Sequence, residues 1–238
     1  MNLTILLLAG LSVVAGAVAQ GTVGLGLGLI AAPVVAVLDP TLMPGSALLL
    51  GFTMPLVTLA QEWRHIAWRD ARWLVGARVA TTPLGILVLA WIPASAIGIL
   101  VGSGVLLSVL LTLWRIEARP TTRNLVVAGA VAGVSGTAAS VAGPPAAILL
   151  RNEKGPRLRA TLAAFFACGS GASLLALQLA GRLSTRQIGY GLTWIPALLI
   201  GFALAVPLRT KLHSNRLRAA VLVISAVSAI AAILRAVL

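Results

Sequence analysis

Charged residues are scarce in this sequence. They make up 10% of its 238 residues, and only five of them are acidic, whereas a soluble domain carries about 25% charged residues. Apolar residues make up 59% of the chain, so we predict an all-α polytopic membrane protein. The single cysteine, Cys168, forms no disulfide within the chain, and we interpret it as a packing residue. We attribute the excess of arginine and lysine to loops on the cytoplasmic face of a membrane, and not to nucleic-acid binding.

Acidic residues and histidines are also missing from the apolar runs. All seven lie in loops or at the ends of those runs: Asp39, Glu62, His65, Asp70, Glu117, Glu153 and His213. Hydrolysis by Ser135 or Ser170 needs a base nearby, and a metal site needs clustered ligands. We therefore expect no enzyme, no metal and no cofactor. A cation exporter, or a carrier with a proton-binding carboxylate inside the membrane, is disfavoured for the same reason.

Long apolar runs are what the sequence has instead. Six are close to the length of about 20 residues that crosses a bilayer as a helix: 42–60, 73–92, 94–114, 160–181, 188–207 and 219–234. Two are longer, at 3–38 and 124–150. The first 20 residues end in AVAQ but lack the basic start of a signal peptide. We expect them to be retained as a membrane helix.

The two long runs resemble each other. GAVAQGTVG at 16–24 matches GAVAGVSG at 129–136, and small residues and proline follow each of them. We predict two repeats, 1–118 and 119–238, each made of a Gly/Pro-broken helical hairpin and three transmembrane helices. Such interrupted segments at corresponding positions are typical of the binding site of a secondary transporter. The alternative is that the glycines only allow close helix packing.

The distribution of basic residues favours hairpins over single crossings. With eight single crossings, the eighteen basic residues divide ten to eight between the two membrane faces. With two hairpins, fourteen lie on one face, in the loops 61–72, 115–123, 151–159 and 208–218. Only Arg182, Arg186 and Arg235 lie opposite, and Arg78 is near the basic end of its helix. This distribution agrees with the positive-inside rule. The repeats are then inverted, both termini lie outside the cytoplasm, and the hairpin tips meet near the middle of the cytoplasmic (inner) membrane.

The glycine-rich segments carry a family resemblance. GTVGLGLGLIAAP at 21–33 and GVSGTAASVAGPP at 133–145, with the arginine-bearing loop 61–72 and TPLG at 82–85, resemble the sulfite exporter TauE/SafE family. The resemblance implies a secondary transporter that moves a small sulfur anion across the cytoplasmic membrane, often outward. Sulfite, sulfoacetate and thiosulfate are the substrates that it suggests. The alternative is an accessory subunit of a membrane complex, which the two matched hairpins disfavour.

An anion inside the membrane needs hydrogen-bond donors, and helix N-termini supply them. We expect the second arm of each hairpin to begin just after its glycine turn. The resulting candidate binding residues are Gly24, Gly26, Gly28, Ser135, Gly136, Thr137, Ser140 and Gly143. Gly21, Pro33, Pro144 and Pro145 are expected to shape the hairpins. For the three hydroxyl groups, the alternative is a hydrogen bond to a backbone carbonyl within the helix.

Arg78 and Gln20 are further candidates. Arg78 lies six residues into its apolar run, and we interpret it as an anchor that reaches the membrane surface, with anion binding as the alternative. No basic residue is then expected at the depth of the turns. Gln20 is a candidate amide donor. The expected partners are the anion and the lipid bilayer, with a homodimer as the candidate assembly.

Overall fold

The structure is a computed structural model that describes residues 2–24, 26–114, 118–153, 155–211 and 214–237. α-Helices make up most of these residues, and no strand occurs among them, so the all-α prediction is confirmed. The helices are α1 (Leu3–Val23), α2 (Leu27–Leu38), α3 (Gly45–Glu62), α4 (Trp68–Trp91), α5 (Ile97–Leu113), α6 (Thr122–Ala139), α7 (Gly143–Leu149), α8 (Pro156–Leu179), α9 (Thr185–Thr193), α10 (Ile195–Lys211) and α11 (Ser214–Val237).

Five helical stretches among the described residues are long and apolar enough to cross a membrane. They are Leu3–Thr22, Trp68–Trp91, Pro156–Leu179, Thr185–Leu208 and Ala219–Val237. Large apolar side chains on them are exposed, for example Leu7 (57%), Leu87 (55%) and Leu175 (61%). An apolar surface of this kind is favourable in contact with lipid and unfavourable in contact with water. These helices make the chain an integral membrane protein.

The first long run forms two helices with a sharp break between them. α1 ends at Val23, and the Gly24 that caps it has a left-handed φ of +86°. Gly26 caps the start of α2 with a φ of +156°. A Cβ added at Gly26 would lie 2.5 Å from the Cβ of Ala19, so only glycine fits this turn. Gly16 lies against Leu27, which brings α2 back along α1. Pro33 is inside α2 and does not end the hairpin arm.

The second long run breaks later than we predicted. α6 continues through Ser135, Gly136 and Thr137 to Ala139, and the turn begins at Ser140, whose φ is +58°. The prediction that the second arm starts at Ser135 is therefore wrong. Within α6, the Ser135 hydroxyl donates to the carbonyl of Val131 one turn earlier, at 2.9 Å. Pro144 and Pro145 are in the first turn of α7, where proline costs no hydrogen bond.

The predicted run 188–207 also contains a break. α9 ends at Thr193 and α10 begins at Ile195. Pro196 explains the break, because proline has no amide hydrogen and clashes with the carbonyl four residues before it. The indole nitrogen of Trp194 donates to the carbonyl of Leu6 at 3.1 Å, which fixes this corner against α1.

The two hairpin tips lie against each other. A Cβ added at Gly28 would lie 2.7 Å from the carbonyl oxygen of Ser140, so the start of α2 touches the residue that caps α6. The Ser140 hydroxyl donates to the carbonyl of Pro44 at 3.2 Å. The two tips can approach this closely because Gly28 has no side chain.

The long helices pack in four pairs. α4 packs along α6, and α1 packs along α10, while α3 packs against α8 and α5 against α11. Glycines bring the helices of the first two pairs close together. Gly133 of α6 lies on the backbone of Arg78, and Gly201 of α10 lies on the backbone of Val14. Close backbone packing of this kind is common between membrane helices.

Contacts between side chains divide the ends of the helices into two groups. At one end, Arg159 pairs with Glu62, and Thr161 accepts a hydrogen bond from the amide of Ala67. At the other end, Arg186 pairs with Asp39 at 2.7 Å, and Arg235 donates to the carbonyl of Val37. Asn2 also lies there, because its amide donates to the hydroxyl of Tyr190 at 2.8 Å. Parts of the predicted loops lie outside the described residues, namely 115–117, Lys154 and 212–213.

Candidate functional site

A cavity of about 50 Å³ lies between the two hairpin tips and the middle of α4 and α8. Its volume holds a few water molecules, since one molecule needs about 10–15 Å³ of such space. It is lined by Gln20, Gly26, Leu27, Gly28, Leu29, Ala31, Ala47, Leu48, Leu50, Gly51, Arg78, Gly136, Ser140, Val141, Ala142, Gly143, Phe166 and Ser170. We call it the central cavity.

The side chain of Arg78 is buried beside this cavity. Only 1% of the residue is exposed, so the interpretation of Arg78 as an anchor at the membrane surface is wrong. Our expectation that no basic residue lies at the depth of the turns is wrong for the same reason. Arg78 stands near the middle of α4, a helix that packs against α6 and α8.

Three contacts hold the Arg78 guanidinium in place. Its Nη1 donates to the carbonyl oxygen of Phe165 at 2.9 Å. Its carbon lies 4.4 Å from the ring centre of Phe165 and 5.8 Å from that of Phe166, distances typical of cation–π contacts. Its Nε is buried without a hydrogen-bond partner among the described residues. A buried cation without a counter-charge is costly, so this group favours an anion in the cavity.

Two glycines make room for that guanidinium. A Cβ added at Gly169 of α8 would overlap the Arg78 side chain, and one added at Gly136 of α6 would lie 3.3 Å from its Nη2. The Arg78 side chain therefore fills a space that other residues at 136 and 169 would occupy. The sequence contains no local signal for this arrangement, because the three residues lie on different helices.

The N-terminus of α2 faces the same cavity. Gly26, Leu27 and Gly28 line it, and the first amide groups of a helix lack partners within the helix. The amide of Leu27 donates to Oε1 of Gln20 at 3.2 Å, which ties the α2 start to α1. The partial positive charge of a helix N-terminus adds to that of Arg78.

A family model for the sulfite exporter TauE/SafE matches residues 8–232, almost the whole chain. The chain belongs to the sulfite exporter TauE/SafE family. The resemblance seen in the glycine-rich segments is thereby confirmed. No curated protein and no solved structure gives a match. Membership makes this chain a membrane transporter of sulfur anions such as sulfite, a class in keeping with the expectation that it is not an enzyme.

The predicted site residues of this TauE/SafE protein divide into two groups. Those that line the central cavity are Gln20, Gly26, Gly28, Arg78, Gly136, Ser140 and Gly143. Gly24, Ser135 and Thr137 do not line it. Gly24 lines a smaller cavity next to it. Gly21 lies against the methyl group of Ala205 on α10, where it allows α1 to approach.

The three hydroxyl groups that we predicted for the TauE/SafE site, on Ser135, Thr137 and Ser140, are already hydrogen-bonded. Ser135 contacts the carbonyls of Val131 and Val141 at 2.9 and 2.8 Å, which is the alternative that the sequence left open. Thr137 and Ser173 share a hydrogen bond of 2.7 Å. Ser170, which the sequence suggested only as a nucleophile without a base, lines the central cavity and was missed as a site residue.

Proposed function

We propose that this protein is a secondary transporter that exports a small sulfur oxyanion or organosulfonate, such as sulfite, thiosulfate or sulfoacetate. The anion would occupy the central cavity. The observation that carries this proposal is the buried Arg78 guanidinium, whose Nε has no partner among the described residues and which lines the cavity. An oxyanion fits this position because a guanidinium presents planar donors that match its oxygens.

Two further groups would complete the binding of the anion. The start of α2 supplies amide groups beside Gly26 and Gly28. Gly136 and Ala142 line the cavity beside Nη2 of Arg78, so the wall next to this nitrogen carries no larger side chain. We no longer assign binding to Ser135 and Thr137, because other groups take their hydrogen bonds. α7 has only seven residues, so its N-terminus contributes less than that of α2.

The packing of the helices supports two inverted repeats. If α1 corresponds to α6 and α4 to α10, the contact of α4 with α6 becomes the contact of α10 with α1. Gly133 lies against Arg78 and Thr81, and Gly21 lies against Phe202 and Ala205. Phe202 is therefore the counterpart of Arg78, and a proline follows each of them five residues later. Of these two corresponding residues only Arg78 is a cation, which suits the binding of one anion at the interface between the repeats.

The two groups of helix ends support the proposed topology. Arg182, Arg186 and Arg235 lie with Asn2 and Asp39 at one end of the molecule. The arginine-rich loops around 61–72 and 151–159 meet at the opposite end through Arg159 and Glu62. We propose that this arginine-rich end faces the cytoplasm. The inner membrane as location, the outward direction of transport and a homodimer belong to the same proposal.

Transport by the purified protein tests the proposal. Liposomes containing only this chain are loaded with labelled sulfite, thiosulfate, sulfoacetate or sulfate, with and without a pH gradient. We expect release of at least one sulfur anion above the rate of protein-free liposomes. Absence of both binding and release for the whole panel would contradict the proposal. It would favour the accessory-subunit alternative, which needs no binding of an anion by the isolated chain.

A further inference from the structure

A second, smaller cavity lies next to the central cavity on the side of the arginine-rich end. Its volume is about 30 Å³, and it is lined by Gln20, Gly21, Gly24, Met54, Pro55, Thr58, Arg159, Leu162, Ala163 and Phe166. Gln20 and Phe166 line both cavities. We call the smaller one the vestibule. From this geometry we infer that the anion passes between the central cavity and the arginine-rich end through the vestibule. Phe166 is the partition, and Arg159 is a second contact for the anion.

The order of residues along two helices supports this path. On α3, four residues between Ala47 and Gly51 line the central cavity, and Met54, Pro55 and Thr58 line the vestibule. Glu62 follows at the helix end. On α8, Ser170 and Phe166 line the central cavity, and the vestibule continues from Phe166 back to Arg159. The seven residues from Phe166 to Arg159 span about 10 Å at 1.5 Å per residue. The two cavities are therefore consecutive along the packed pair of α3 and α8.

An ion pair stands at the outer end of the vestibule. Arg159 donates from Nε to both carboxylate oxygens of Glu62 at 3.1 Å, and its Nη2 also contacts Glu62. The side chains of Arg159 and Glu62 are only 26% and 14% exposed. An anion that reaches the vestibule can replace the Glu62 carboxylate on the Arg159 guanidinium. This exchange keeps the Arg159 cation paired but leaves the Glu62 carboxylate, which is 14% exposed, without its partner. The exchange therefore has a free-energy cost that bears on the rate of passage.

This inference rests on the proposed function, because it supplies the path for the anion that Arg78 would bind. It differs from that proposal in the residues that it tests. Arg159 and Phe166 would set the rate of passage, whereas Arg78 would set the affinity of the central cavity. Experiments on rate and on affinity therefore separate the two.

The role of Phe166 can be tested without knowing the transported anion. In a Cys168→Ala background, Thr58→Cys places a thiol in the vestibule, and Ser170→Cys places one in the central cavity. The probe is an anionic thiosulfonate reagent applied to the purified protein. We expect fast modification at position 58 and slow modification at position 170. Adding Phe166→Ala should accelerate modification at position 170 at least fivefold. The variant must have the same thermal unfolding midpoint as its parent.

The milder substitution Phe166→Leu protects this test against misfolding, and it should give a smaller acceleration in the same direction. An unchanged rate at position 170 in folded Phe166→Ala and Phe166→Leu proteins would overturn the role of Phe166 as the partition.

The role of Arg159 is tested with labelled sulfite as the probe. We expect Arg159→Gln to slow sulfite exchange across liposomes about tenfold while its dissociation constant in detergent changes less than twofold. Arg157→Gln is the matched control, because Arg157 lies two residues before Arg159, pairs with Glu153 and has a side chain that is 58% exposed. Equal exchange rates in the two variants would overturn the role of Arg159.

Failure of the proposed function gives a different result from failure of the path. If the unmodified protein binds none of the sulfur anions in the panel, the central site is wrong, and the path is judged by the thiol reagent. For that case, Glu62→Gln should speed anionic modification at position 58 several-fold, whereas Glu153→Gln should not. Equal rates in these two variants would also overturn the assignment of Arg159 as an anion contact.

Discussion

Arg78 owes its position to residues on two other helices. The carbonyl and ring of Phe165 hold it from α8, and Gly136 leaves space for it on α6. The hydrogen bond from Nη1 fixes one edge of the guanidinium, while its Nε has no partner among the described residues. A cation fixed in this way loses little entropy when an anion binds, which favours affinity.

Removing the charge of Arg78 should remove most of the affinity for the anion. A hydrogen bond to a charged group contributes about 1.5–3 kcal/mol, so we expect Arg78→Gln to weaken sulfite binding about tenfold to a hundredfold. Arg78→Lys keeps the charge without the planar donors, so its sulfite affinity should lie between those of the wild type and Arg78→Gln. Titration calorimetry of the purified variants measures the effect. Arg72→Gln, an exposed position on the same helix, is the control, and equal affinity in all variants would place the site elsewhere.

Gly169 should be essential for the site although it binds nothing. A Cβ at position 169 would overlap the Arg78 guanidinium, so Gly169→Ala should displace that group and lower sulfite affinity about as strongly as Arg78→Gln. Gly76→Ala on α4 meets no atom within 4 Å and should leave affinity unchanged. The same titrations measure both variants. Wild-type affinity in folded Gly169→Ala would show that Arg78 is not the anion ligand.

At the level of elements, the pairing of α4 with α6 depends on small residues. Gly129 of α6 lies on the carbonyl oxygen of Leu74, and Gly133 lies on Arg78 and Thr81. The hydroxyl of Thr81 donates to the carbonyl of Ala130 at 3.0 Å. Without a hydrophobic force between helices inside lipid, such close contacts and hydrogen bonds hold the pair together.

Enlarging Gly129 should separate these two helices. Overpacking typically costs about 1–3 kcal/mol, so we expect Gly129→Ala to lower the thermal unfolding midpoint. Gly189→Ala in α9 meets no atom within 4 Å, and alanine stabilises a helix by up to about 1 kcal/mol over glycine. Its midpoint should stay or rise. The assay is thermal unfolding in detergent, and a lower midpoint for Gly189→Ala than for Gly129→Ala would contradict the proposed packing.

The positions of the helix breaks illustrate what sequence can predict at this scale. The turn after Gly24 is visible in the sequence, because glycine tolerates the left-handed conformation that the turn requires. The turn at Ser140 is not, because GVSGTAAS offers several equivalent places to end a helix. The contact of Ser140 with Gly28 and Pro44 decides between them.

At the level of the whole molecule, polar contacts gather at two opposite ends. One end is tied by the pair of Arg159 and Glu62, and the other by the pair of Arg186 and Asp39. The Arg186 side chain is 54% exposed, and an exposed ion pair contributes only about 0–1 kcal/mol. Both pairs join the ends of neighbouring helices.

Labelling of added cysteines should assign the two ends to the two sides of the membrane. In a Cys168→Ala background, Ala180→Cys should react with an impermeant thiol reagent in intact cells, because position 180 lies at the end with few arginines. Asn152→Cys, at the arginine-rich end, should react only after permeabilisation. Both positions are exposed. Reaction of Asn152→Cys in intact cells would reverse the proposed orientation.

The sequence alone determined the membrane class, the helical architecture, the family and the first hairpin turn. These features follow from composition, from the length of apolar runs and from glycine, all of which act within one segment of chain. Only the tertiary structure decided that Arg78 is buried, that Ser135 and Thr137 lie outside the central cavity, and that Phe166 separates two cavities. The physical reason is that an arginine six residues into an apolar run can reach either water or the protein interior. Here the space left by Gly136 and Gly169, on two other helices, turns it inward.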